Sequence, residues 1–211
     1  MQLLEWIDPA KLDWDALSGN PHAVDYLETH PDKINWIFFS GNPNAMPLLE
    51  AHPEKIYWEF FCANSSAIHY IESQIHTNLI DWYYLSKNTN AIHILENNID
   101  KINWYYLSSN PNAMSLLEKN RKYIQWFSLS MNPSAIHLLE ANPHNISWYH
   151  LWKNPAAMHL IEANQDRICW EALSSNPSAI DLLEANQDRI DWVELSRNPA
   201  IFYESNMFVL K

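Results

Sequence analysis

A chain of 211 residues with 25 Asp and Glu against 13 Lys and Arg carries a formal charge of -12 and a pI near 5.1. That balance, with no basic run, argues against a nucleic-acid partner and against an anionic membrane surface, because both need cations to neutralise phosphates. With only two cysteines and two glycines, neither a disulfide framework nor a glycine-rich phosphate loop is expected.

Met1 is followed by no signal-peptide pattern, and no apolar run approaches a membrane span, so a soluble, cytoplasmic chain without a cleaved leader is expected. Residues 1–13 read as a partial repeat and N-terminal cap. Leu3-Leu4-Glu5 matches the end of a repeat, Asp8-Pro9 opens a helix, and Trp6 and Ile7 are extra residues expected to cover the open end of a stack. From residue 14 to 198 the chain is eight copies of one unit and the start of a ninth, about eight and a half helix pairs in all. Tryptophans fall at 14, 36, 58, 82, 104, 126, 148, 170 and 192, every interval 22 except one of 24. A unit that short cannot bury its own apolar side and must stack on its neighbours.

Counted from each Trp as zero, position +3 is Leu or Phe, +6 is Asn in all nine copies, and +7 is Pro in seven, with Ser65 and Thr89 the exceptions. Ala at +9, Leu or Ile at +13 and Glu at +14 recur in the first eight. Asn-Pro-x-Ala reads as a helix start, with Asn accepting from the unpaired N–H groups of the first turn and Pro at the first helical position. The apolar positions +9, +10, +12 and +13 then lie on one face of a helix B. A ladder from the Asn to the next repeat is the competing reading, and capping is preferred because Pro follows so regularly. Six residues before each Trp lies Asp, His or Asn, which predicts the N-cap of a helix A running to about +4. Acids such as Asp32, Glu54, Asp100, Asp166 and Asp188 follow in its first turn. The recurring Trp is the expected buried anchor. Glu at +14 is expected to meet the N–H groups opening the next helix A. Gly19 and Gly41, at +5, sit at a helix end that tolerates positive φ.

Two residues are added around Ser73, Gln74 and Ile75. A tolerated loop insertion is expected there, with a change of superhelical curvature as the alternative. After Asn198-Pro199-Ala200-Ile201 the pattern loses a residue. Residues 199–211, ending in Met207, Phe208, Val209 and Leu210, are expected to fold back as a C-terminal cap or to meet another copy, giving a homo-oligomer through that end.

Ten histidines invite a metal reading. His30, His52 and His76 fall at the helix A cap, and His69, His93, His137 and His159 share position +11. Neighbouring repeats place such residues roughly 10 Å apart, whereas zinc wants its ligands about 2 Å from one centre, so a solvated stripe is expected and no metal site. Cys62 and Cys169, about five repeats apart, are expected to be free thiols. No nucleophile motif or paired carboxylate points to catalysis, and no cofactor is expected. The informative variation lies after the Trp. Position +2 is expected to be core. Position +1 turns outward, where Tyr83, Tyr105, Phe127 and Tyr149 would line an aromatic groove for a protein partner, with plain packing between repeats as the competing reading.

The unit W-x-x-L-S-x-N-P-x-A-I-x-L-L-E-x-N-x-x-x-I is carried most cleanly by Trp126 to Ile146 and Trp170 to Ile190 and spans roughly residues 8–201. It resembles a short repeat found in many open reading frames of giant DNA viruses. The resemblance implies a viral protein of the host-cell cytoplasm, presumed to mediate protein interaction, and supplies no catalytic residues. The whole reading is a single all-α repeat domain, an α-solenoid of stacked short helix pairs. It would serve as a non-enzymatic scaffold for protein–protein interaction, or alternatively as a self-assembling structural protein. A leucine-rich repeat would also place Ile at -2, Leu at +3 and Asn at +6, but Asp15, Glu59 and Glu171 break its intervening apolar position.

Overall fold

The computed structural model describes residues 1–164 and 168–204. The Asp166 position and the tail from Ser205 through Leu210 lie outside the described residues.

Each repeat is built from short helices. In the fifth, helix A is Trp104–Ser109, a three-residue 3-10 turn follows at Pro111–Ala113, and helix B is Met114–Lys119. A leucine-rich arrangement is thereby overturned, since no copy puts a strand at its Trp. Helix A differs from expectation at its start. The residues before the Trp form a separate 3-10 turn, such as Ile99–Lys101, and two extended residues then break the chain before Trp104. The cap is the residue just before the Trp: Asp13, Asn35, Asp81, Asn103 and Asp191 each accept from the first turn of helix A. The Asn six residues upstream does something else. Asn98, Asn120, Asn142, Asn164 and Asn186 donate from Nδ2 to the carbonyl four residues back, closing the end of the preceding helix B. Among the described residues Asp8 alone of that column is seen to cap forward, accepting from Ala10 N at 3.0 Å.

The deepest positions are +3, +9 and +13, as in Leu107, Ala113 and Leu117, all 0% exposed. The nine repeating tryptophans are only half-buried, which corrects their expected place as the buried anchor, whereas Trp152, at +4, is fully buried. Several of the nine lie against a residue of the 3-10 turn that opens the next repeat. Lys55 sits 4.4 Å over Trp36, Lys101 4.5 Å over Trp82 and Arg189 5.3 Å over Trp170, while the Tyr123 ring stacks on Trp104 at 4.6 Å. A cation over an indole face is worth about 0.5–1 kcal/mol when exposed, so this column supplements the core and does not replace it.

What joins the repeats is polar. All nine asparagines at +6 are buried. Each Oδ1 accepts the N–H two residues on, as in Asn112 N to Asn110 at 3.0 Å. Each Nδ2 donates to two carbonyls of the preceding repeat, as Asn132 does to Ser108 at 3.0 Å and Asn110 at 2.9 Å. Capping and ladder are therefore both present, and only an amide can do both. A second ladder uses the serine at +4: Ser108 Oγ donates to Trp104 O and accepts Gln125 N of the next repeat at 3.0 Å. Cys62 stands in this column, with Asp81 N 3.4 Å from its sulfur, and burial pushes its thiol up to about 11. Cys62 and Cys169 are both free.

Both ladders run past the last copy into the first. Asn20 Nδ2 donates to Ser196 O and Asn198 O, each at 3.0 Å, and Asp13 N donates to Ser196 Oγ at 2.9 Å. Lys11 lies 4.8 Å over the Trp192 ring. A two-stranded antiparallel pair completes the seam, with Gln2 opposite Tyr203 and Leu3 opposite Phe202. Ile201 and Phe202 are buried at this join, as is Ile7. The described ends thus meet each other, where two open ends under separate caps had been expected. The insertion leaves the circuit intact: Asn88 still reaches Cys62 O at 3.0 Å and Asn64 O at 2.8 Å. The added residues lie in turns after Ile68–Ser73, where the other copies form their 3-10 turn.

Candidate functional site

Because the contacts close, helix A has an inner side, and positions +2 and +5 occupy it. Contacts that skip repeats occur there. Lys153 of the seventh copy reaches Glu194 of the ninth at 2.8 Å, and the charge of Arg197 in the ninth acts on Lys87 in the fourth. Position +2 is therefore a lining position and not simply core. Ala16, Ser128 and Ala172 are buried there, while Phe38, Phe60, Tyr84, Tyr106 and His150 are half-buried. Their rings form a continuous arc: Phe38 meets Phe60 edge-on at 5.4 Å, Phe60 meets Tyr84 at 4.8 Å, and Tyr84 stacks with Tyr106 at 6.4 Å. Burial raises the Tyr106 phenol well above its ordinary value, helped by its 2.7 Å hydrogen bond to Tyr83 Oη. Burial lowers His150, and Lys153 beside it lowers it further. Ser128 Oγ, on the same wall, has no hydrogen-bond partner among the described residues.

Position +5 carried no weight in the sequence beyond its glycines. It brings Lys87, Lys153 and Arg197 to the inner side. Glu194 takes two of them, Lys153 at 2.8 Å and Arg197 at 2.6 Å. Burial pushes the Glu194 carboxyl up, but Lys153, Arg197 and Ser175 together pull it below its ordinary range. A cavity of about 330 Å³ opens among these groups, lined among others by Gly19, Gly41, Phe60, Tyr84, Lys87 and Arg197. The glycines have φ of -84° and -81°, so neither takes the positive φ expected of it.

The four aromatics predicted at +1 stand on the outer lip. Tyr83, Tyr105, Phe127 and Tyr149 are all exposed, Phe127 most at 64%. Tyr83 accepts from Tyr106, and Tyr149 Oη donates to Glu171 at 3.0 Å. Hydrogen bonding to Glu171 is the main reason the Tyr149 phenol lies above its usual value.

The outward histidines of helix B pair with glutamates of the repeat before. His93 Nε2 lies 2.8 Å from Glu72, His159 2.9 Å from Glu140 and His137 3.7 Å from Glu118. Three of the +14 glutamates thus meet a histidine of the next repeat, and Glu50 accepts from Tyr70 Oη at 3.0 Å, in place of the helix A N–H groups expected. His30 and His52 make no cap bond from the side chain and pack against Trp14 and Trp36. No three His, Cys, Asp or Glu side chains converge among the described residues, and no helix among them is long and apolar enough to cross a membrane. No family model, curated protein or solved structure matches this chain.

Proposed function

We propose that the chain is a closed α-solenoid acting as a non-enzymatic scaffold, and that it docks a protein partner on the lip formed by Tyr83, Tyr105, Phe127 and Tyr149. The observation that carries this reading is four large aromatics exposed at one position of four consecutive repeats. Tyrosine offers rigid, amphipathic contact area with little side-chain entropy to lose, and a contiguous exposed apolar patch is the usual mark of an interaction site. The position is free to vary, since the other copies hold Asp15, Ile37, Glu59, Glu171 and Val193 there with the same backbone. The viral repeat that the unit resembles points the same way. The alternative of a self-assembling structural protein rests on Phe208 to Leu210, which lie outside the described residues.

The test is a variant with all four aromatics changed to Ser. Capture of the partner from host-cell extract is expected to be lost while the far-ultraviolet spectrum stays unchanged. Capture at the level of the parent chain would rule the lip out as the docking surface.

A further inference from the structure

The cavity on the inner side adjoins the outer lip, Tyr84 of its wall meeting Tyr83 of the lip at 5.3 Å, but it is built differently. We propose that it binds a small organic anion with a flat apolar body, the body resting on Phe60 and Tyr84 and the anionic group lying between Lys87 and Arg197. Its volume of about 330 Å³ falls within the small-molecule range.

Three features of the wall support this. First, both glycines of the chain face it. Neither is needed for positive φ, since both have ordinary helical φ. Gly41 is accounted for by packing, because a Cβ there would come within 3.3 Å of Phe60 O, whereas a Cβ on Gly19 would meet nothing nearer than 3.6 Å, so at Gly19 what the missing side chain leaves is room. Second, the charge is opposite to that of the molecule. In a chain of net charge -12, Lys87 and Arg197 both line the cavity, and Lys153 and Arg197 share the carboxylate of Glu194 beside it. The other acid at the cavity, Asp15, accepts from Asn35 Nδ2 at 2.8 Å. Lys87 has no acidic partner among the described residues. Loss of hydration holds its ammonium below the ordinary lysine value, and Arg197 lowers it further. Lys87 is itself exposed to the open space of the cavity. A cation without an acidic partner, facing an open cavity beside a second cation, has the form of a recognition group. Third, the adjoining aromatic faces supply a stacking surface, and the Arg197 guanidinium has donors beyond the one given to Glu194.

The probe is 8-anilinonaphthalene-1-sulfonate, followed by fluorescence on the full chain, with benzoate and adenosine 5′-monophosphate as competitors. Saturable binding at one site is expected, with displacement by the competitor whose carboxylate or phosphate suits the cations. Lys87→Gln should weaken binding about tenfold, as loss of one charge-assisted hydrogen bond does. Gly19→Leu should abolish binding by filling the cavity, with helicity retained. Absence of saturable binding, parent-like binding by both variants, or displacement by neither competitor would overturn the proposal. Neither variant alters the outer lip, so partner capture and dye binding fail independently.

Discussion

The nine interior asparagines show what a single side chain must do in this protein. Each is buried, and each meets three backbone groups in two repeats, accepting one N–H and donating to two carbonyls. Aspartate could not donate and serine could not span the distance, which is why the column does not vary. Asn132→Ala should therefore cost about 2–4 kcal/mol, because buried backbone groups lose their partners. Asn112→Ala, which removes an exposed bond to Thr89 O, should cost under about 1 kcal/mol. Urea unfolding of the two variants measures the contrast. The recurrence of Asn was legible in the sequence, and so was its Oδ1 role, because a cap is a local pattern. Its Nδ2 partners lie 22 and 24 residues away, where no local pattern reaches. The +4 serine, plainly recurrent, was passed over for the same reason.

At the scale of helices, the start of helix B and the apolar columns +3, +9 and +13 could be read directly. The break before the Trp could not. Ile102, Trp104 and Leu107 have spacings that suit a continuous helix, yet Asn103 is extended so that its N–H can cross to Ser86 Oγ of the neighbouring repeat at 2.9 Å. An inter-repeat bond has overridden local propensity. The outer face of helix B carries its own cross-link, and it is sensitive to pH. Hydrogen bonding to His93 holds the Glu72 carboxyl below its ordinary value, with His69 adding to the effect. A depressed carboxylate stabilises the fold above its unfolded pKa, and that contribution is lost as the pH falls through the folded value. Glu72→Gln should therefore lose less stability than the parent between neutral pH and the acid side of the carboxylate range, as urea midpoints at several pH values would show. An unchanged acid limb would mean that the pair is inert.

At the scale of the molecule, the feature that matters most is closure. A stacked repeat protein normally needs a polar cap at each end. Here the ninth copy stops after Ile201, and Leu3 and Leu4 at the other end of the described chain supply what it lacks. The two fragments are complementary halves of one unit, and that clue was present in the sequence. What could not be read was the turn from one repeat to the next, which brings the last copy back to the first. The inner cavity and its cations depend entirely on that turn, since Lys87 and Arg197 come from copies far apart along the chain. Closure can be tested by electron spin resonance distance measurement between nitroxides at Asp15→Cys and Val193→Cys, with Cys62 and Cys169 changed to Ser. Both sites are exposed at the same position of the first and last repeats. A closed circuit predicts a separation of neighbouring helices, roughly 10 Å plus the label arms, whereas a distance of many tens of ångströms, as in an open stack, would contradict it.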